Sequence, residues 1–240
     1  MKRIVYIALL ALVYVNCSRK EVSIHDLEER EEISYEKNTT TKFTGVARSY
    51  HANGQVDVEE NYTHGKLEGI VKRYYEDGQV KIEANFKAGE QEGIRKEYDS
   101  QGHLEMETMY KKGKVDGSKK EYYPTGQVAI DASFTEGKLD GVSTKYYEDG
   151  QISLEVQHKN GVEEGMMKGY HENGQLSVEA YYKEGKLEGQ RREYYKNGQL
   201  AAEAYYVDGE LEGMVRGYDT DGHLIGEASY EHGELIVNKK

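Results

Sequence analysis

Residues 69–92 read GIVKRYYEDGQVKIEANFKAGEQE, and the same pattern returns every 24 residues through most of the chain. Within this unit Val80, Ile82, Ala84 and Phe86 alternate with Gln79, Lys81, Glu83 and Asn85. A period of two is the mark of a strand with one buried face. A second short strand precedes it over residues 69–75. Between them lies Glu76-Asp77-Gly78, which other copies write as Ala-Asn-Gly, Glu-Asn-Gly or Lys-Asn-Gly. Asn-Gly or Asp-Gly between apolar runs predicts a hairpin, because both residues tolerate positive φ. Gly89 marks the return turn into the next copy. Each unit is therefore a β-hairpin.

Outward from this unit, three glycine columns run in phase, starting at Gly45, Gly54 and Gly65 and recurring at the 24-residue step. Three columns of eight absorb 24 of the 27 glycines, so glycine here is structural punctuation. Self-similarity at a short fixed period marks a repeat array in which each unit buries its apolar face against its neighbours. The eight copies span 45–236, and Phe43, 24 residues before Leu67, places the start of the array at 43. The predicted fold is all-β: an elongated antiparallel meander of eight hairpin repeats filling residues 43–240. Sixteen strands at about 4.8 Å spacing make a sheet roughly 75 Å long.

Composition fits a thin structure. There are 22 Tyr against 3 Phe and no Trp, so the large side chains carry a polar end suited to half-exposed positions. Pro124 is the only proline, which agrees with ladder hydrogen bonding along the chain. A net charge of -12 argues against nucleic acid and against electrostatic docking on anionic lipid.

Polar columns accompany the glycines. Four residues before each hairpin glycine stands Tyr (Tyr50, Tyr74, Tyr98 and onward), and five after it stands an acid (Glu59, Glu83, Glu107 and onward). Six before it stands Arg or Lys, with Thr144 the exception. A two-residue turn would set each base opposite its acid, Arg48 across from Glu59. A three-residue turn with a glycine bulge would instead put the tyrosines on the apolar face. These columns either hold strand register or form a ligand-binding stripe. Charges present in every copy favour register, through cross-strand pairs of about 0.2–1 kcal/mol each.

The N-terminus differs from the array. Basic Met1-Lys2-Arg3 precedes an apolar run from Ile4 to Val15, then Asn16-Cys17-Ser18. Such a run spans about 18 Å as a helix, too short for a bilayer core of roughly 30 Å. Residues 1–16 therefore read as a signal peptide. Cys17, the only cysteine, follows directly and resembles the lipobox cysteine of bacterial lipoproteins. The resemblance implies that Cys17 is diacylglycerylated and becomes the mature N-terminus. Residues 17–42 are expected to be a lipidated polar tether, with ragged helical spacing of Val22, Ile24, Leu27 and Ile33.

No Ser-His-Asp order, phosphate-cradling loop or metal-ligand spacing of His and Cys stands out, so no catalytic, cofactor-binding or metal residues are expected. Identical carboxylates repeated in identical settings do not supply the two differentiated carboxyls of a glycosidase. His51 and His171, like His103 and His223, stand 120 residues apart, five repeats, which hints at block duplication. The columns are similar to those of the MORN repeat family, in the variant often labelled antitoxin-like. The resemblance is carried by Tyr-Tyr-Glu-Asp-Gly-Gln at 146–151 and Glu-Ala-Tyr-Tyr-Lys-Glu-Gly-Lys-Leu-Glu-Gly at 179–189. It implies a hairpin array and a role in scaffolding, tethering or toxin neutralisation. The function expected is a non-enzymatic, lipid-anchored protein-binding or scaffold module of the bacterial envelope, on the outer membrane or cell surface. The alternative is an antitoxin or immunity protein that neutralises a toxic partner. The partners expected are a membrane through the N-terminal lipid and a protein, with no cofactor and no nucleic acid.

Overall fold

A computed structural model describes residues 19–239, with side chains described as far as 236. Strand β1 (Glu21–Ser23) is followed by a 3-10 turn over Ile24–Asp26 and by a small hairpin, β2 (Leu27–Arg30) and β3 (Ile33–Glu36). The array opens with β4 (Gly45–Tyr50) and β5 (Val56–Thr63) and continues hairpin after hairpin to a last strand at Glu234–Lys239. Each strand pairs with the one before and the one after, as in Val80–Lys87 between Gly69–Tyr74 and Glu90–Tyr98. Only β1 runs parallel to its neighbour, pairing with β4. The result is one long, open, almost wholly antiparallel sheet of eight hairpin repeats, as the glycine columns predict.

The hairpin turn combines both geometries that the sequence left open. His51 N–H donates to Gln55 O (2.8 Å) and Gly54 N–H to His51 O (2.9 Å), closing a three-residue loop with Gly54 at φ 86°. One position further along, the strands slip: Tyr50 pairs with Val56, but Ser49 pairs with Val58, leaving Asp57 as an extra residue. This bulge cancels the odd loop length and brings Arg48 opposite Glu59 after all. It also keeps the tyrosines off the apolar face, for the Tyr122 hydroxyl donates to Glu107 Oε2 at 2.6 Å on the charged side.

The return turn is of the left-handed two-residue kind, with Ala88 at φ 52° and Gly89 at φ 90°. Each return turn is tied to the previous one. Gly89 N–H donates to Leu67 O (2.9 Å), and Ala88 N–H donates to Glu68 Oε2 (2.8 Å). The same acid-to-turn bond recurs from Lys112 to Glu92, from Glu184 to Glu164 and from Asp208 to Glu188. Hairpin tips are tied likewise: Tyr75, Tyr123, Tyr147 and Tyr195 donate their hydroxyls to the carbonyls of Tyr98, Tyr146, Tyr170 and Tyr218. His51 and His171 contact the corresponding carbonyls of Tyr74 and Tyr194 at 3.0 and 2.8 Å, so residues 120 apart do the same work.

The apolar face is thin. Its most buried positions form one lengthwise row of small or short side chains, among them Ala47, Val71, Ala84, Thr108, Ala132, Val156 and Ala180. The ragged helical spacing over residues 22–35 does not give an α-helix. That segment instead caps the array, because the free edge of β4 has backbone groups to satisfy. Val46 N–H donates to Lys20 O (2.8 Å), Ser34 N–H to Gly65 O (2.8 Å) and Gly65 N–H to Phe43 O (2.7 Å). Phe43 is fully buried beneath the cap and meets the Tyr62 ring edge-on at 5.7 Å. The signal-peptide residues and Cys17 lie outside the described residues.

Candidate interaction surface

On the face opposite the small-residue row, the basic and acidic columns merge into one ladder across the whole sheet. Glu83 is in register with Lys72 on one side and Lys96 on the other, and Glu107 with Lys96 and Lys120. The alternation runs on through Arg216 and Glu227, broken only where Thr144 stands between Asp131 and Glu155. Ion pairs close at 3.2 Å for Lys72–Glu83 and Lys96–Glu107, and at 3.5 Å for Lys120–Asp131. Further along, Arg192 reaches back to Glu179 (3.3 Å), and Arg216 reaches Glu203 (3.1 Å) and Glu227 (3.7 Å).

Tyrosine hydroxyls complete the ladder. Tyr122, Tyr170, Tyr194 and Tyr218 donate to Glu107, Glu155, Glu179 and Glu203 at 2.6–3.1 Å. The hydroxyl of Tyr122, with Lys96 and Lys120 beside it, holds the Glu107 carboxyl below the usual carboxylate range against the opposing effect of burial. In return, burial and the Glu107 carboxylate push the Tyr122 phenol up to about 12. Burial raises Tyr170, Tyr194 and Tyr218 as well, each helped by its own glutamate. These columns hold register, each charge serving its neighbours across the strand.

Beside the ladder lies a second lengthwise stripe that does not serve the fold. Ile70 (40 % exposed), Ile94 (41 %), Met109 (37 %), Val142 (43 %), Tyr181 (40 %) and Tyr205 (48 %) all belong to the two columns next to the charges, on the same face. They pair across strands, Ile94 opposite Met109 and Met166 opposite Tyr181. Single exposed apolar residues need no explanation, but several of them recurring on one face make it a candidate interaction surface. The sequence did not single out this stripe: its positions vary in residue type, and between Ile70 and Tyr205 it is interrupted by Asn85, Ser118, Ser133, Gln157 and Gln190. An exposed apolar residue at the same step in copy after copy was the available signal.

Asp219, Asp221 and His223 bring their ligand-type atoms within 4.8 Å of one another at the last hairpin tip. Asp219 Oδ1 accepts the N–H groups of Asp221 (2.9 Å) and His223 (2.8 Å), and the His223 Nδ1 lies 3.2 Å from Oδ2. The tip five repeats earlier makes the same bonds, with Asp99, Gln101 and His103. A glutamine serves as well as the second acid, so the arrangement caps the turn. A cavity of about 670 Å³ lies between the cap and the first return turns, lined by Glu29, Glu32, Tyr62, Lys66 and Glu90 among others. Cys17, the expected lipidation site, lies outside the described residues. No helix among the described residues is long and apolar enough to cross a membrane.

A family model described as the MORN repeat variant matches the chain in eight consecutive segments, residues 43–64, 67–88, 91–112, 115–136, 139–160, 163–184, 187–208 and 211–232. The first match begins at Phe43, where the array begins. A search of curated proteins returns no match.

Proposed function

The chain belongs to the MORN repeat variant family, repeat proteins suited to binding or scaffolding, and we propose that it acts as a non-enzymatic protein-binding module held in a bacterial envelope by a lipid on Cys17. The observation that carries the binding role is the exposed set of Ile70, Ile94, Met109, Val142, Tyr181 and Tyr205 on a face whose ladder charges, Glu155 and Lys168 apart, are paired among themselves. A rigid, one-layer sheet offers many strands of surface at little loss of conformational freedom on binding, which favours affinity. The anchor rests on the sequence order of basic residues, apolar run and single cysteine. Two or more acyl chains there would hold the protein firmly at a membrane, where one chain binds only marginally.

The two halves of the proposal have separate tests. Metabolic labelling with a clickable fatty acid should mark the wild type and leave Cys17→Ser unlabelled; equal label in both would remove the anchor. Capture from envelope extracts should retain a defined partner on the wild-type array. Ile94→Glu, which sets a charge in the stripe without touching a turn glycine, should lower that capture at least ten-fold. Undiminished capture would move the binding site off this face.

A further inference from the structure

The charge ladder has a symmetry property that names a partner for the stripe. Counting array strands from β4, bases occupy odd strands and acids even ones, from Arg48 and Glu59 to Arg216 and Glu227. Consider a two-fold axis parallel to the strands that passes between Val128–Thr135 and Lys138–Tyr146 and lies just above the charged face. It carries each strand of one copy over a strand of opposite parity in the other. Every base then faces an acid, and the stripe faces the stripe. An axis through a strand, or a shift by one strand, would set like charge on like.

We propose that this face is an interface between two copies of the chain, packed sheet on sheet about this central axis; the proposal rests on the reading of the stripe as a protein-binding site and names its occupant. Two observations fit an axis at the centre. With the axis there, Met109 faces Met166 of the other copy and Ile94 faces Tyr181, flanking a smaller, more polar centre in which Ser118 faces Gln157 and Ser133 faces Val142. At the same place the ladder is left incomplete within the chain. Glu155 and Lys168 are in register, yet neither forms an ion pair among the described residues, unlike the rungs Lys96–Glu107 and Lys120–Asp131. Glu155 has the Tyr170 hydroxyl alone, with Thr144 on one side where a base would be and the unpaired Lys168 on the other. Across the two-fold, Lys168 faces Glu107 and Glu155 faces Lys120.

The charges act here chiefly on register and the stripe on affinity, as at other interfaces. Sheets packed face to face lie about 10 Å apart, and the facing residues named here fall on the strands from Glu90–Tyr98 to Leu176–Lys183. A stable contact needs on the order of 1,000 Å² of buried surface, which six or so strands on each side are long enough to supply.

The test uses the full chain in mild detergent with Cys17→Ser, which removes the only native thiol. Residues 109 and 166 lie five strands apart within one chain, about 24 Å, well beyond disulfide reach. An equimolar mixture of Met109→Cys and Met166→Cys chains should therefore oxidise to a covalent dimer, at least ten-fold more than either chain alone. Lys168→Glu in the Met109→Cys, Met166→Cys background should lower the yield several-fold, and adding Glu107→Lys should restore it. Circular dichroism of each variant checks that the sheet is intact. Three results would overturn the inference: an intact sheet that stays monomeric by sedimentation at about 100 µM, cross-linking of Met109→Cys alone as readily as the mixture, or no response to the charge swap. A monomer whose stripe still captures a different protein would end the self-association inference and leave the binding role standing.

Discussion

At the scale of single residues, the Tyr122–Glu107 bond shows how a polar column stabilises a sheet with little core. The neutral phenol donates to the ionised carboxylate, and each group favours the state the other needs. Folded Tyr122 titrates at about 12 against an ordinary 10.0, so its contribution is complete below pH 10 and disappears as the pH rises through 12. Glu107 is held below its ordinary 4.5, so its contribution is complete above pH 4.5 and disappears as the pH falls through the lower, folded value. Chemical denaturation across pH should thus show a plateau between these limits. Tyr122→Phe should lower the plateau by about 1 kcal/mol, an ordinary hydrogen-bond contribution, and make the alkaline decline shallower. An unchanged plateau would mean that water replaces the bond without loss. The tyrosine and acid columns were plain in the sequence. Their contact was not, because it depends on a bulge that no single residue announces.

Among the elements, the hairpin turn is where local chemistry is least forgiving. Gly126 sits at φ 84° with nothing within 4 Å of the place a Cβ would take. Substitution there meets no clash, and its effect is backbone strain alone. Gly126→Val should destabilise by about 1–3 kcal/mol, since a β-branched residue strongly disfavours the left-handed region. Gly126→Asn should lose much less, because asparagine enters that region readily. Equal losses in thermal unfolding would show that something other than φ is at stake. Six of the eight hairpins were legible from Asn-Gly or Asp-Gly, and those at Gln101-Gly102 and Thr125-Gly126 from the repeat period. The N-terminal cap was not, for residues 21–36 carry neither a turn pair between apolar runs nor a clean period. Their strands form because the edge of β4 and the Phe43 ring require a cover.

Across the whole molecule, stability should be a chain of neighbour contacts with no single core. Gly126→Val breaks the middle of that chain, and Gly222→Val, at φ 85° with similar backbone strain and an added approach of 3.2 Å to the Gln199 side chain, breaks it near one end. Hydrogen exchange should show the first loosening repeats on both sides of residue 126. The second should fray the array only beyond about residue 213, since a single strand pair follows it. Uniform loosening by both would indicate one cooperative unit, contrary to an array in which each hairpin touches only the next.

The sequence by itself determined the period, the number of repeats and where the two turns of each repeat fall. All of these follow from side-chain alternation and from glycine's access to positive φ, which act over a few residues. Only the tertiary structure decided the register, because a three-residue loop and a compensating bulge at Asp57 give the same Arg48–Glu59 pairing as a simpler turn. It alone decided which columns are spent on the fold and which are left over. The ladder charges and tyrosines bond partners one strand away, whereas Ile94, Met109 and Val142 stay exposed because nothing among the described residues lies above them. A side chain's alternation tells which face it takes, but whether anything covers that face depends on layers that strand patterning does not encode.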